Sequence, residues 1–399
     1  MKTGRKFFCR LFQKVMYACI PLFPYRTPKL LNGVSEIAQV LQAQGVQRVL
    51  LVTSQGVHAR GQTAPLLESL RDGGLTCTVY DKTIPDPTTD NVEQAAVLYK
   101  ENNCQAIIAF GGGSVMDCAK AVGARIARPK LPLQKMQGLI KICKKIPLLI
   151  AVPTTAGTGS ETTVAAVIVD SATHHKYVIS DFCLIPRYAV LDAETTKGMS
   201  PYLTATTGMD ALTHAIEAYV GKSVTKDTAL AAEQAVKLIV ENLEQAYQHG
   251  DDLQARKNML HASYLAGMAF TKSYVGYVHA VAHTLGGKYG IAHGLANAVL
   301  LPKVLRAYGE HVTHPLAKLA KAAGLVDVES DEKQAAEALI SYIEGLNERM
   351  QIPKTLTCVC EADISELSKR ADKEANPLYP VPVLWDETEL QAVYKSLMQ

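Results

Sequence analysis

The sequence predicts an α/β domain followed by an all-helical one, on three observations. The first half alternates short apolar runs with helical patterns, as βαβ units do when a parallel sheet is covered on both faces. After about residue 195 strand signals disappear, and the pattern becomes long, rich in Ala and Leu, and helical. The length, 399 residues, exceeds the size at which a single core keeps growing. The expected division is an α/β domain over residues 1–197, carrying an N-terminal extension over 1–21, and a helical domain over 198–399.

Taken in order, VQRVLLVTS (46–54) reads as a strand and TAPLLESLRDGG (63–74) as a helix that stops at glycines. LTCTVYD (75–81) is a second strand by its β-branched content. NVEQAAVLYKENN (91–103) is a helix, and CQAIIAFGGG (104–113) is a strand running into glycines. MDCAKAVGARIA (116–127) is helical, and IPLLIAVPTTAGTGS (146–160) is a buried strand ending in a polar Gly/Thr loop. Helical patterns then cover residues 204–250, 253–324, 333–351, 361–375 and 386–398.

Composition bounds the function. A hydrophobic content of 48%, a charged content of 20% and a net charge of +3 describe an ordinary globular protein. Scattered Lys and Arg and a single Trp argue against a nucleic-acid partner. Nine cysteines, an odd count without a Cys-x-x-Cys pair, read as free thiols in a reducing cytoplasm. In the N-terminal segment MKTGRKFFCRLFQKVMYACIPLFPY, Arg10 and Lys14 interrupt the apolar core that a signal peptide needs. The run from Val15 to Phe23 is too short to span a bilayer. Two readings of this extension stay open. It is a helix packed on its own protein or on a sister subunit, with Phe7, Phe8, Leu11, Val15 and Ile20 contributing to a homodimer or larger assembly. Otherwise it is a basic amphipathic helix docking through residues 1–20 on a membrane surface.

The chemistry concentrates in GYVHAVAHTLGGKYGIAHGLANAVLLP (276–302). His279 and His283 are four apart and share one face of a helix, and His293 follows a Gly-rich turn. Upstream, TGMDALTHAIEAY places Asp210 and His214 at the same spacing. One carboxylate and three of these imidazoles, converging from two helical hairpins, make a divalent transition-metal site. Any one of these histidines alone reads as a satisfied core residue; the paired spacing beside glycine turns is what favours the metal.

A second set sits in the first half. In IIAFGGGSVMDCAK a strand feeds Gly111, Gly112 and Gly113, which permit close backbone approach, and Ser114 stands where a helix N-terminus favours a phosphate. Ser114 and Asp117 also fit a capping box, a purely structural alternative. In PTTAGTGSETT, Thr154, Thr155 and Thr158 form a second donor-rich loop at the same edge of the sheet.

GGGSVMDCAK, PTTAGTGSE, GMDALTHAIEAY and HAVAHTLGGKYGIAHGLANAVLLP together resemble the hallmark segments of the iron-containing, or group III, alcohol dehydrogenase family, in its order and spacing, over about residues 22–399. The resemblance implies an N-terminal dinucleotide-binding domain, a C-terminal helical metal-binding domain, and hydride transfer between nicotinamide C4 and a small aliphatic alcohol or aldehyde at the metal. By that resemblance Asp210, His214, His279 and His293 are the ligands of Fe2+, with Zn2+ as the alternative. His283 matches a histidine near the nicotinamide and suits proton relay. Lys176, in HHKYV, is similar to a lysine that reaches the cofactor.

Several departures from the family pattern carry information. Many members have Thr-Asp-x-Gly after the first long strand, where the Asp holds the ribose hydroxyls; LVTSQG places Ser54 there. A serine does not repel a 2′-phosphate, so NADP is expected beside NAD. AFTKSYVGYVH is bulkier than the usual version, so Tyr274 and Tyr277 are expected to reshape the substrate channel beside Phe270. Ala165 and Ala166 add no polar handle, which favours an apolar alcohol or aldehyde over a polyol. The competing reading is a lyase of the dehydroquinate-synthase type, which shares the architecture and uses NAD and a metal.

Overall fold

A computed structural model describes residues 1–398. The chain divides into two compact units: Pro24–Met199, and Met1–Phe23 together with the chain from Ser200 onward. The extension therefore belongs with the helices and not with the α/β domain where the sequence placed it. The reason is polar docking. Helix α1 (Thr3–Cys19) sends Arg5 to Asp372, Arg10 to the carbonyls of Val381 and Pro382, and Gln13 to the carbonyl of Tyr379.

In the first unit the elements run β1 (Lys29–Leu31), α2 (Glu36–Ala43), β2 (Arg48–Val52), α3 (Gln55–Ala59), α4 (Ala64–Asp72), β3 (Thr76–Tyr80), α5 (Thr89–Glu101), β4 (Ala106–Gly111), α6 (Gly113–Ala127), β5 (Gly138–Leu139), β6 (Leu148–Pro153), β7 (Ala165–Val169), β8 (Lys176–Ser180) and β9 (Tyr188–Val190). Six strands form one parallel sheet in the order β1-β9-β6-β4-β2-β3. Alternation along the central strands feeds two cores. Leu50, Val52, Ile107, Ala109, Leu149 and Ala151 pack with α5 and α6 residues on one face. Val49, Leu51, Ile108, Phe110, Ile150 and Val152 pack with α2 and α4 residues on the other.

A smaller sheet, β5-β8-β7, contains an antiparallel β7–β8 pair that the sequence pattern left unassigned. Its alternating half-burial gives a weaker signal than the continuous apolar runs of β4 and β6. The sequence also left β1, β9 and α2 unassigned; β1 and β9 are three residues each.

The second unit continues with α7 (Pro201–Val220), α8 (Lys226–Gln248), α9 (Leu253–Ser273), α10 (Tyr277–Tyr289), α11 (His293–Tyr308), α12 (Thr313–Ala322), α13 (Glu332–Arg349), α14 (Ile364–Ala375) and α15 (Glu387–Ser396). Ser200 caps α7 by accepting from Leu203 N, with Pro201 at the first helical position. From Gly208 to Val220 every residue of α7 is buried, because α8, α9 and α11 pack around it. Thr225 and Asp386 start α8 and α15 with reciprocal capping boxes.

Candidate metal centre

Helix α7 carries Asp210, His214 and Glu217 at i, i+4 and i+7, one stripe of a helix buried on all sides. Helix α10 begins after Gly276 and carries His279 and His283 one turn apart. It ends at Gly290, whose φ of +68° is the left-handed geometry that favours glycine at a helix end. The chain reverses there, and α11 opens on His293. A Cβ at Gly294 would lie 2.4 Å from the Thr206 carbonyl oxygen, so only glycine lets the first turn of α11 approach the α7 backbone this closely.

These constraints bring four donors together. The ligand atoms of Asp210, His214, His279 and His293 all lie within 4.8 Å of one another. His293 Nε2 is 3.4 Å and His279 Nε2 4.0 Å from Asp210 Oδ1. The rings of His214 and His279 are 4.5 Å apart, and Phe270 stacks on the other face of His214 at 4.1 Å. Asp210, His214 and His279 are buried, whereas His293 is half-exposed and leaves the cluster open on its side.

The protonation chemistry suits a cation. Burial and the neighbouring imidazoles push His279 well below the usual imidazole range. A neutral imidazole carries one ring proton, and Glu217 Oε2 lies 2.6 Å from His279 Nδ1. Placing the proton on Nδ1 leaves the Nε2 lone pair directed at the cluster, an outer carboxylate fixing the tautomer of a ligand. Glu217 is itself pushed up to about 7 by burial, and its other oxygen accepts from Val278 N at 2.8 Å. Asn297 Nδ2 donates to Asp210 Oδ1 at 2.6 Å. A carboxylate and three imidazoles, oriented by outer partners and open on one side, fit a catalytic divalent transition metal.

Beside this cluster His283 stacks on His293, with centroids 5.2 Å apart, and its Nδ1 lies 2.6 Å from Glu374 Oε1. Sequence reasoning missed Glu217, Asn297 and Glu374. Glu217 and Asn297 stand three and four residues after His214 and His293, a helical spacing that signals both; Glu374 has no local signal.

Two expectations need correction. Tyr277 is fully buried and does not line a channel; its hydroxyl donates to the Trp385 carbonyl and accepts from Trp385 N, and its ring stacks on Trp385 at 4.9 Å. Tyr274 is half-buried at the end of α9 with φ +65°, a strained setting for a tyrosine. The capping-box alternative for Ser114 and Asp117 also fails, since Gly112 occupies the N-cap of α6 and no side chain caps the helix.

The first unit presents its loops at the carboxyl edge of β2, β4 and β6. Gly111 to Gly113 lead into α6, whose uncapped first turn suits a phosphate. A Cβ at Gly112 would meet Thr155 at 3.3 Å and one at Gly113 would meet Thr158 at 2.9 Å, so the glycine and threonine loops pack directly on each other. Thr154 N donates to the Gly111 carbonyl, and Thr53 Oγ1 donates to the Phe110 carbonyl. Ser54 follows β2 and caps α3 by accepting from Val57 N. Ala165 is half-buried at the start of β7, next to fully buried Ala166. Lys176, at the start of β8, is exposed and pairs with Asp86 at 2.6 Å.

Comparisons with known proteins agree with this geometry. A model described as "Iron-containing alcohol dehydrogenase" matches residues 31–193, and one described as "Fe-containing alcohol dehydrogenase family, C-terminal" matches residues 204–398. The 1,3-propanediol dehydrogenase of Klebsiella pneumoniae is 37% identical over 383 residues, covering 94% of this chain and 98% of that protein. The crystal structure of a 1,3-propanediol oxidoreductase superposes with a TM-score of 0.89 at 36% identity, covering 94% of this chain and 99% of the other. A sulfoacetaldehyde reductase from Bifidobacterium kashiwanohense, solved in complex with NAD+, superposes with a TM-score of 0.84 at 28% identity and the same coverage. With its cluster of one aspartate and three histidines, its parallel-sheet unit and these relatives, the chain belongs to the iron-containing alcohol dehydrogenase family, as a metal-dependent oxidoreductase acting on CH–OH groups.

Proposed function

We propose that this chain interconverts a small aliphatic alcohol and its aldehyde, with NAD or NADP as hydride carrier and Fe2+, or Zn2+ in its place, held by Asp210, His214, His279 and His293. The observation that carries the reading is the convergence of those four donors on a cluster open beside His293. A divalent cation held by these four residues would supply Lewis-acid polarisation of the substrate oxygen, and a bound dinucleotide would supply the hydride acceptor or donor. Glu217 and Asn297 orient the ligands, and Phe270 walls the cluster through its stack on His214. His283 presents Nε2 while Glu374 holds Nδ1, so it can pass a proton between the substrate oxygen and solvent. Gly111, Gly112, Gly113, Ser114, Thr154, Thr155 and Thr158 cradle the dinucleotide. Lys176 reaches the same ligand only by releasing Asp86. Ala165 and Tyr274 are assigned to the substrate pocket, and Tyr277 is withdrawn from it. The lyase alternative is not favoured, since the relatives are alcohol dehydrogenases. The test is NADH and NADPH consumption over a panel of small aldehydes by protein of measured metal content. No turnover with any aldehyde and either nucleotide sinks the proposal.

His283→Ala should keep a full complement of metal and slow turnover by about 10²-fold, the ordinary worth of a positioned proton-transfer group. Metal analysis and kcat on the same sample decide it, and loss of the metal would make His283 a ligand instead.

Ser54→Asp should weaken NADP use relative to NAD by roughly fivefold to several hundredfold, because like charges at close range repel by about 1–4 kcal/mol. Aspartate also caps helices well, so α3 is expected to survive the change. Equal effects on kcat/KM for the two cofactors would show that residue 54 does not face the ribose.

The same proposal includes a cytoplasmic homodimer or larger assembly. The nine cysteines are all free thiols, as a reducing compartment keeps them, and no helix among the described residues is long and apolar enough to cross a membrane. Helix α1 docks by the face that carries Cys9 and Gln13, both buried, and leaves Phe7, Phe8, Leu11 and Val15 exposed, apolar surface that a second copy of the chain can cover; Ile20 is buried within the protein's own fold. Light scattering and flotation with anionic liposomes, on full-length protein and on protein lacking residues 1–20, separate assembly from membrane docking. An unchanged oligomer with salt-sensitive liposome binding only at full length would defeat the assembly reading.

A further inference from the structure

The segment after α14 reads NPLYPVPVLW, residues 376–385. Prolines at 377, 380 and 382 remove three N–H donors, so the strap cannot build a helix or a sheet ladder, and its carbonyls need donors from elsewhere. Lys222 N serves the Pro380 carbonyl. Helix α1 serves four others. Arg10 donates to Val381 O at 2.7 Å and Pro382 O at 2.9 Å; Gln13, itself buried, donates to Tyr379 O at 2.7 Å and Pro377 O at 3.2 Å. Arg5 closes a two-pronged pair on Asp372, at 2.7 and 2.9 Å, in the last turns of α14.

The strap and α14 together hold one carboxylate next to the metal centre. Glu374 Oε1 accepts from the Tyr379 hydroxyl at 2.8 Å and lies 2.6 Å from His283 Nδ1. The His283 side chain is 43% exposed, so packing covers only part of its ring. Its ring stacks on His293, meets the His279 ring edge-on at 5.9 Å, and is held at Nδ1 by Glu374. Tyr379 and the Asp372 end of α14 are the points that α1 grips.

We propose that Glu374 is a positioning residue that aims His283, and that α1, by pinning the proline strap, keeps Glu374 in place. The inference rests on the relay reading of His283. It gives the extension a role inside the chain: Arg10 and Gln13 on its docked face complete the support of the reaction site. Outer partners of this kind are ordinarily worth about 10- to 100-fold in activity.

The test uses the full-length protein as Glu374→Ala, Glu374→Gln, His283→Ala, the double variant His283→Ala/Glu374→Ala, and Arg10→Ala/Gln13→Ala. Glu374→Ala should lower kcat about tenfold or more. Aldehyde KM, nucleotide affinity and metal content should stay at their parental values. Glu374→Gln, which keeps an acceptor at the same place, should recover part of the loss. In the His283→Ala background, removing Glu374 should add no further loss, since a residue acting through His283 has nothing left to aim. Arg10→Ala/Gln13→Ala should lower kcat in the same sense and speed hydrogen exchange over the strap. Parental kcat in Glu374→Ala, or the same fold-loss with and without His283, overturns the positioning role. A lowered melting temperature with unchanged kcat in Arg10→Ala/Gln13→Ala overturns the part assigned to α1. His283→Ala at the parental rate would instead overturn the relay reading on which the inference stands.

Discussion

Replacing His279 by alanine should empty the metal centre and lower turnover by at least about 10³-fold, because a bound cation supplies several kcal/mol of charge stabilisation and each 1.36 kcal/mol is tenfold in rate. Of the four donors His279 is the most fully specified. It is 2% exposed, Glu217 fixes its tautomer, and burial keeps it neutral, so its lone pair is committed to the cluster. Its removal leaves Asp210, His214 and His293 and opens a buried gap beside Glu217. Nucleotide binding should be retained, since the glycine and threonine loops belong to the other compact unit. His293→Ala should behave alike. The measurements are metal content by elemental analysis, NAD affinity by calorimetry and NADH-linked turnover. Stoichiometric metal with a near-parental rate in either variant would show the ligand assignment to be wrong.

Lys120→Met should destabilise the α/β unit by about 3–5 kcal/mol, the usual consequence of removing one partner of a buried charged network. For a unit of this size that lowers the melting temperature by roughly 10 °C. Lys120 is fully buried on α6, and its ammonium donates to Ser160 Oγ, Thr163 Oγ1 and the carbonyls of Thr163 and Ala165. It thereby ties α6 to the chain that follows the threonine loop. Burial pulls Lys120 down to about 8 and pushes Glu161 up to about 7, and Glu161 Oε1 has no hydrogen-bond partner among the described residues. Methionine keeps the volume and loses every donor, so Glu161 is left buried without its counter-charge and its carboxyl rises further. A carboxyl with a raised folded pKa stabilises the native state below its unfolded value, and that contribution is lost as pH rises through the folded one. The penalty of Lys120→Met should therefore be larger at pH 8 than at pH 5. Adding Glu161→Gln should recover part of the loss at pH 8. Equal melting temperatures for parent and Lys120→Met at both pH values would remove the network from the account of stability.

The sequence by itself determined the division into a parallel-sheet half and a helical half. Continuous apolar runs in β2, β4 and β6 and long Ala-rich helical stretches after residue 195 admit few other arrangements. It also pointed to a metal site, because Asp210 with His214, and His279 with His283, share helix faces by local geometry alone; the choice of His293 over His283 as a ligand came from the family resemblance. The β7–β8 hairpin was not legible, since only alternate residues of its short strands are buried and its pairing is settled by neighbours. The place of α1 was not legible either. An amphipathic pattern says which side is apolar, yet Phe7, Phe8, Leu11 and Val15 stay exposed while Cys9 and Gln13 are buried, because a proline strap more than 360 residues away offers carbonyls that Arg10 and Gln13 of α1 satisfy. The same holds for Tyr277, whose aromatic bulk reads as a channel wall and whose hydroxyl is bonded to Trp385 in the core. Glu374 reaches His283 across 91 positions of sequence. Local spacing fixes which residues share a face, whereas which faces meet depends on how buried donors and acceptors find partners between elements, and only the tertiary structure decides that.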